Sequence, residues 1–453
     1  MFDRRLKPVQ PARCRKVLLP LLATAICALP VQAAEDLLSV YQKALTEDPQ
    51  YQAAMAERDA ALERLPQSRA GLLPSVEIIG DVSRDRYDSR VDSGVPSADH
   101  RYATNETYSL ELRQAVYQRA RFKQLARAGH EVEQAEATFV AAQQDLVVRV
   151  AEQYFQLLAA RDNLEFVTAD KDAISVALEQ ARHRYEVGLA APTDLYEAQA
   201  RHDIAVSDEL RARKLVTDAR EALFTLTGSK LVNPRGLGAE VPLVMPDPAD
   251  PERWVSMAVE QNPLLLAANA AVNAAQEYIQ LQRSGHYPSL DLVANYQYRD
   301  NDFGGLNIPI KRNDKALGLQ LNIPLYQGGL ISSRTREASQ QYQQARAQQT
   351  GSLRDAELLA RESYRGVEVE LSRVHALQQA ILSNEKALEA SSNGYEVGTR
   401  NITDVLDAQR ELLRARRDHA ASRYQYLLYS LQLKRAVGSL SEQDISAINI
   451  LLQ

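Results

Sequence analysis

The chain has 453 residues, 45% of them hydrophobic and 25% charged, and its 59 acidic residues outnumber 53 Lys and Arg to give a net charge of −6. That balance argues against a nucleic-acid partner. Both cysteines, Cys14 and Cys27, fall in the first thirty residues, so the remaining chain offers no disulfide, thiolate nucleophile or Cys-ligated metal.

The amino terminus reads as an address. Arg4, Arg5, Lys7, Arg13, Arg15 and Lys16 precede a 13-residue apolar stretch from Val17 to Leu29, too short to span a bilayer, and Val31-Gln32-Ala33 offers a peptidase site. A signal peptide over 1–33 is expected, with cleavage after Ala33 first and after Ala34 second. Its removal takes away six positive charges and one negative, which moves the net charge to −11. Beyond it no run of 18 apolar residues exists, so any membrane crossing must be a β-barrel.

The remainder is a tandem duplication. Residues 49–75 align without gaps on 263–289, pairing Pro49 with Pro263, Glu63 with Glu277, Arg69 with Arg283 and Gly71 with Gly285. Further on, Tyr185 to Gln199 matches Tyr395 to Gln409 at eight of fifteen positions. The expected divisions are a first repeat over 34–232, a proline-rich connector over 233–252, a second repeat over 253–440 and a terminal segment over 441–453. Each repeat reads as helix, strand pair, very long helix, tight turn and helix.

Four stretches alternate apolar and polar residues with period two, as strands with one apolar face do. They are Val76, Ile78 and Val82; Tyr108, Leu110, Leu112 and Val116; Leu290, Leu292, Ala294, Tyr296 and Tyr298; and Leu317, Leu319, Leu321, Ile323 and Leu325. Alternation alone leaves a half-buried soluble sheet and a transmembrane barrel at even odds. Four strands cannot close a barrel, because about eight is the practical minimum, and open edges cannot sit in hydrocarbon. A barrel therefore requires oligomerisation, and three chains give twelve strands.

From Gln118 to Tyr185 no proline or convincing turn intervenes, which predicts a helix of about 100 Å. In the second repeat Leu353, Ala360, Val367, Val374, Ile381, Leu388 and Tyr395 fall at strict intervals of seven, a coiled-coil seam. Leu125, Val132, Phe139 and Leu146 keep the same interval in the first repeat, and Val150, Leu157 and Leu164 resume it after a stutter. Enzyme signatures are missing: there is no HExxH and no Gly-rich phosphate loop, and seven histidines are scattered singly. No catalytic residue, cofactor or metal is expected.

The segment from Tyr395 to Asp444 resembles the last helical hairpin of the TolC-family outer-membrane factors, and Arg184 to Leu195 resembles its counterpart in the first repeat. EDLLSVYQKAL from Glu35 and IPLYQGG from Ile323 resemble the mature start and the strand-to-helix exit. The resemblance implies a mainly α chain whose long coiled-coil helices and four strands build, as a homotrimer in outer-membrane lipid, a helical tunnel topped by a 12-stranded β-barrel. It implies an export duct for type I protein secretion, multidrug efflux or both, docking through a periplasmic adaptor on an inner-membrane ABC or RND transporter. A structural trimeric coiled-coil envelope protein is the competing class.

Carried over by position, the resemblance makes Thr193, Asp194, Tyr395 and Arg400 a periplasmic gate and Asp404 and Asp407 an acidic entrance ring. It makes Val187, Gly188, Leu189, Val397, Gly398 and Thr399 the adaptor-contacting tips. Read without it, Asp404 is the N3 residue of a helix capped by Asn401, Asp407 is a solvated charge beyond the first turn, and Glu197 stands at the matching position of repeat one.

Overall fold

The computed structural model describes residues 36–89, 99–230, 233–238, 241–303 and 309–452. The expected signal peptide lies outside them. In chain order the elements are α1 (Leu37–Glu47), α2 (Pro49–Leu62), α3 (Arg64–Ala70), β1 (Ser75–Ser89), β2 (Asp99–Gln118), α4 (Arg119–Glu186) and α5 (Pro192–Thr227). There follow α6 (Pro251–Gln261), α7 (Pro263–Arg283), β3 (Ser289–Phe303), β4 (Pro309–Asn322), α8 (Leu330–Glu396), α9 (Ile402–Val437) and α10 (Glu442–Ile450).

The strands form one antiparallel sheet in the order β1-β2-β3-β4. Its register stacks the apolar positions into rows: Val76 with Leu112, Ala294 and Leu317, then Ile78 with Leu110 and Tyr296, ending on Lys315 of β4, then Gly80 with Tyr108 and Tyr298, ending on Asn313. The opposite face carries Glu77, Glu111 and Asn295 in one row and Asp81, Thr107, Arg299 and Arg312 in another. On β3 the apolar face is nine residues tall, from Leu290 to Tyr298, and on β4 it runs from Leu321 to Leu317 before Lys315, against the about 9–11 needed by a tilted transmembrane strand. Beyond it the row Val82, Glu106, Asp300 and Lys311 turns polar, and Tyr108 stacks on Tyr298 at 6.5 Å on the boundary. Aromatic residues at such a boundary are what a membrane barrel places there.

Two strand expectations need correction. Ile323 and Leu325 lie past the end of β4, because β3 starts at Ser289, opposite Asn322, and offers no partner beyond it; Pro324 has no N–H to donate to a ladder in any case. A bulge between Ala115 and Tyr117 skips Val116, so Tyr117 takes the position opposite Leu290.

Helices α4 and α8 run for 68 and 67 residues, about 100 Å each. Among the described residues no helix is long and apolar enough to cross a membrane. On α8 the seam packs as expected, with Ala360, Val367 and Val374 buried, but it has a second row three residues on. Ala356, Ser363, Glu370 and Ser391 are also buried, and Ser422 on α9 donates to Glu370 at 2.5 Å. Small and polar residues in the second row let α8 and α9 approach closely.

The core lies midway along the helices, where α1, α4, α5, α9 and α10 bury Leu37, Leu146, Tyr154, Leu223, Leu431 and Ile445. The connector is strapped across it: the Tyr154 hydroxyl donates to Arg235 O at 2.8 Å, Arg161 to Pro234 O at 2.9 Å, and the Tyr426 hydroxyl both accepts from Val244 N and donates to Val244 O. At the α1–α2 junction buried Asp48 caps α2 and takes both ends of the Arg149 guanidinium, at 2.7 and 3.2 Å. Arg149 also donates to Asp145, which accepts from Arg435 on α9.

Candidate functional site

The two hairpin turns use the same backbone device. Each long helix ends in a glycine at positive φ, Gly188 at +79° and Gly398 at +77°, a conformation that costs a residue with a Cβ. Leu189 N then donates to Arg184 O at 2.7 Å, and Thr399 N to Gly394 O at 2.8 Å. The return helices are fixed by Pro192 at the start of α5 and by a capping box on α9, where Asn401 and Asp404 exchange bonds of 2.8 and 3.2 Å. These bonds give the Asp404 carboxylate its position.

The turns lie at one end, side by side. The Arg184 guanidinium sits 5.3 Å from the centre of the Tyr395 ring, and Ile174, Ala177, Ala205 and Leu406, joined by Ile402, form a small apolar contact between the hairpins. Beside that contact Arg201 on α5 donates to Asp407 at 2.9 Å and to Glu197 at 3.1 Å. Arg410 on α9 approaches Asp170 on α4 at 4.0 Å. Burial pushes the Asp170 carboxyl above its ordinary range, a rise that Arg410 counters and Asp208 reinforces.

Inside one chain the expected gate pairing is not made. Among the described residues no hydrogen bond or ion pair joins Tyr395 or Arg400 to Thr193 or Asp194. Thr193 donates to Asp194 at 3.5 Å, Asp194 N bonds to Ala191 O, and Arg400 N bonds to Gly394 O, while its side chain packs over Gly394. Val187, Leu189 and Val397 stand 68%, 80% and 74% exposed, flanking Gly188, Gly398 and Thr399. The sequence alone assigns no role to Arg184, Arg201, Asp170 or Arg410. Arg201 is marked in the sequence as the i+4 partner of Glu197 and Arg410 as the i+3 partner of Asp407, arrangements suited to pairing on a helix. Among the described residues no group of three or more His, Cys, Asp or Glu is placed to hold a metal ion.

The family model described as "Outer membrane efflux protein" matches residues 40–229 and 254–439, most of the chain. The chain belongs to this family. It is 36% identical to the outer membrane protein TolC of Vibrio cholerae, over 96% of this chain and 98% of that protein. It is 28% identical to the proteases secretion protein PrtF of Dickeya chrysanthemi, over 94% and 93%. Its fold matches the crystal structure of the Campylobacter jejuni CmeC outer membrane channel with a TM-score of 0.78 at 16% identity, covering 92% of this chain and 90% of that one. The protein is an outer-membrane export channel, with its helices extending into the periplasm.

Proposed function

We propose that three copies of this chain close one twelve-stranded barrel, continued by a tube of their long helices, and that this homotrimer is a passive duct. The observation carrying that reading is the sheet: apolar on one face over a membrane-spanning height, with β1 and β4 as open edges. Unpaired edges are untenable in hydrocarbon, so β4 of one chain pairs with β1 of the next. The exposed tips around Val187, Leu189 and Val397 meet a periplasmic adaptor, which joins the duct to an inner-membrane ABC or RND transporter. Type I protein secretion is the first cargo route, supported by the full-length similarity to a protease secretion protein. Small-molecule efflux is the second, supported by the description of the family.

At the entrance, Tyr395 and Arg400 of one chain bond to Thr193 and Asp194 of its neighbour. Charge-assisted contacts of this kind are worth about 1.5–3 kcal/mol each. Asp404 and Asp407 supply the negative charge of the mouth, where the fields of three chains add. Two double variants in planar bilayers test this. Tyr395→Phe with Arg400→Ser is expected to raise single-channel conductance, and Asp404→Ala with Asp407→Ala to lower cation preference. Unchanged conductance in the first and unchanged selectivity in the second, with intact assemblies, would return these residues to the solvated surface.

A further inference from the structure

We infer that Arg201 is a latch that also regulates the charge of the entrance: it ties the α8–α9 hairpin, the inner one at the mouth, to the outer α4–α5 hairpin and neutralises Asp407 while they are together. The inference rests on the entrance reading above and adds to it a residue and a coupling.

The guanidinium lies between two carboxylates on different helices. One donor bond reaches Asp407 on α9 at 2.9 Å, and the other reaches Glu197 on its own helix α5 at 3.1 Å. Arg201 is 21% exposed, whereas both acids are more than half exposed, so the cation is the fixed, enclosed member of the trio. The apolar contact beside it uses two alanines, Ala177 and Ala205, with Ile174 and Leu406, and the other ionic link near the tips, Arg410 to Asp170, is longer at 4.0 Å. Arg201 therefore forms the tightest ionic hold between the hairpins in this region.

The two bonds differ in what happens when the hairpins part. Glu197 and Arg201 are four residues apart on one helix and stay together. Asp407 travels with α9, as does Arg410 three residues on, and loses the bond from Arg201. One cation between two carboxylates leaves one negative charge unmatched while the latch is closed. When it opens, the pairing of Arg201 collapses onto Glu197, and the free charge moves to Asp407 on the inner wall. Widening the mouth and raising its preference for cations thus become one event. Exposed ion pairs contribute little to folding stability, so the consequence is read at the pore.

The test compares Arg201→Gln, Asp407→Asn, their double variant and Arg201→Lys as purified full-length protein in planar bilayers. Conductance is taken in about 1 M KCl, where the Debye length of about 3 Å suppresses the effect of charge on ion supply. Selectivity is taken as the reversal potential in a dilute KCl gradient. Both single variants are expected to raise conductance, and the double variant no more than the larger single one, since all three remove the same bond between the hairpins. Selectivity is expected to split: Arg201→Gln shifts the reversal potential toward the potassium limit, Asp407→Asn shifts it away, and Arg201→Lys stays near the parent.

A silent Arg201→Gln, or selectivity shifts of the same sign in the two single variants, overturns the latch. If Asp404→Ala with Asp407→Ala still alters selectivity while Arg201→Gln is silent, the latch fails and the entrance stands; if both are silent, the entrance fails as well. Should Arg201→Gln not assemble, Asp407→Asn and Arg201→Lys carry the comparison: raised conductance in the first with parental selectivity in the second supports the latch, and unchanged conductance in the first overturns it.

Discussion

Asp48 shows how much one side chain holds. Burial raises its carboxyl, but the hydrogen bonds from Arg149 and from Tyr51 N outweigh that and hold it below its ordinary value of 3.8. A depressed carboxyl stabilises the fold fully above its unfolded pKa, and that contribution fades as pH falls through the lower folded value. Asp48→Asn is expected to cost about 1.5–3 kcal/mol at neutral pH, and the deficit should shrink below about pH 4. Melting followed by circular dichroism at both pH values checks it, and a deficit that does not change with pH contradicts it. None of this was legible beforehand, because Arg149 is 101 residues away in sequence. Asp407 carries the same lesson: its sequence neighbours mark it as a solvated charge, and its partner Arg201 lies 206 residues earlier.

Elements were more legible, because periodicity is local. The long helix expected from Gln118 to Tyr185 is α4, Arg119 to Glu186, and a strand forms at each of the four alternating stretches, with Ile323 and Leu325 left outside β4. What alternation could not supply was register. The bulge at Val116 and the end of β4 depend on which strand lies opposite. The buried row of Ser363 and Glu370 escaped because its residues are polar and their shelter comes from another helix.

Register also ranks the lipid-facing positions. Leu317 pairs with Ala294, midway up the nine-residue band of β3 and one face position before Lys315, and is 76% exposed, whereas Leu321 lies at the periplasmic end opposite Leu290. Leu317→Arg is expected to cost about 2–4 kcal/mol and Leu321→Arg about 0–1. Ala316→Arg, one residue along and on the polar face, should assemble normally. Yields of folded oligomer in outer-membrane fractions give the ranking, and a stronger defect in Ala316→Arg than in Leu317→Arg would reverse the two faces.

For the whole molecule, the duplication explains the architecture. Each repeat delivers a strand pair followed by a long helix that turns back at a glycine, so barrel and tunnel are built from the same two units. A single chain leaves the task unfinished: its sheet has two open edges, and the side chains of Arg400 and Asp194, at the tips, form no ion pair among the described residues. Both gaps close if copies are arranged in a ring, since a heterologous contact repeated around an axis brings β4 to β1 and one hairpin to its neighbour. The number of copies is therefore the quantity to measure. Native mass spectrometry of the detergent-purified protein is expected to give one dominant species with the mass of three chains; a stable monomer or dimer as the main species would contradict the shared barrel.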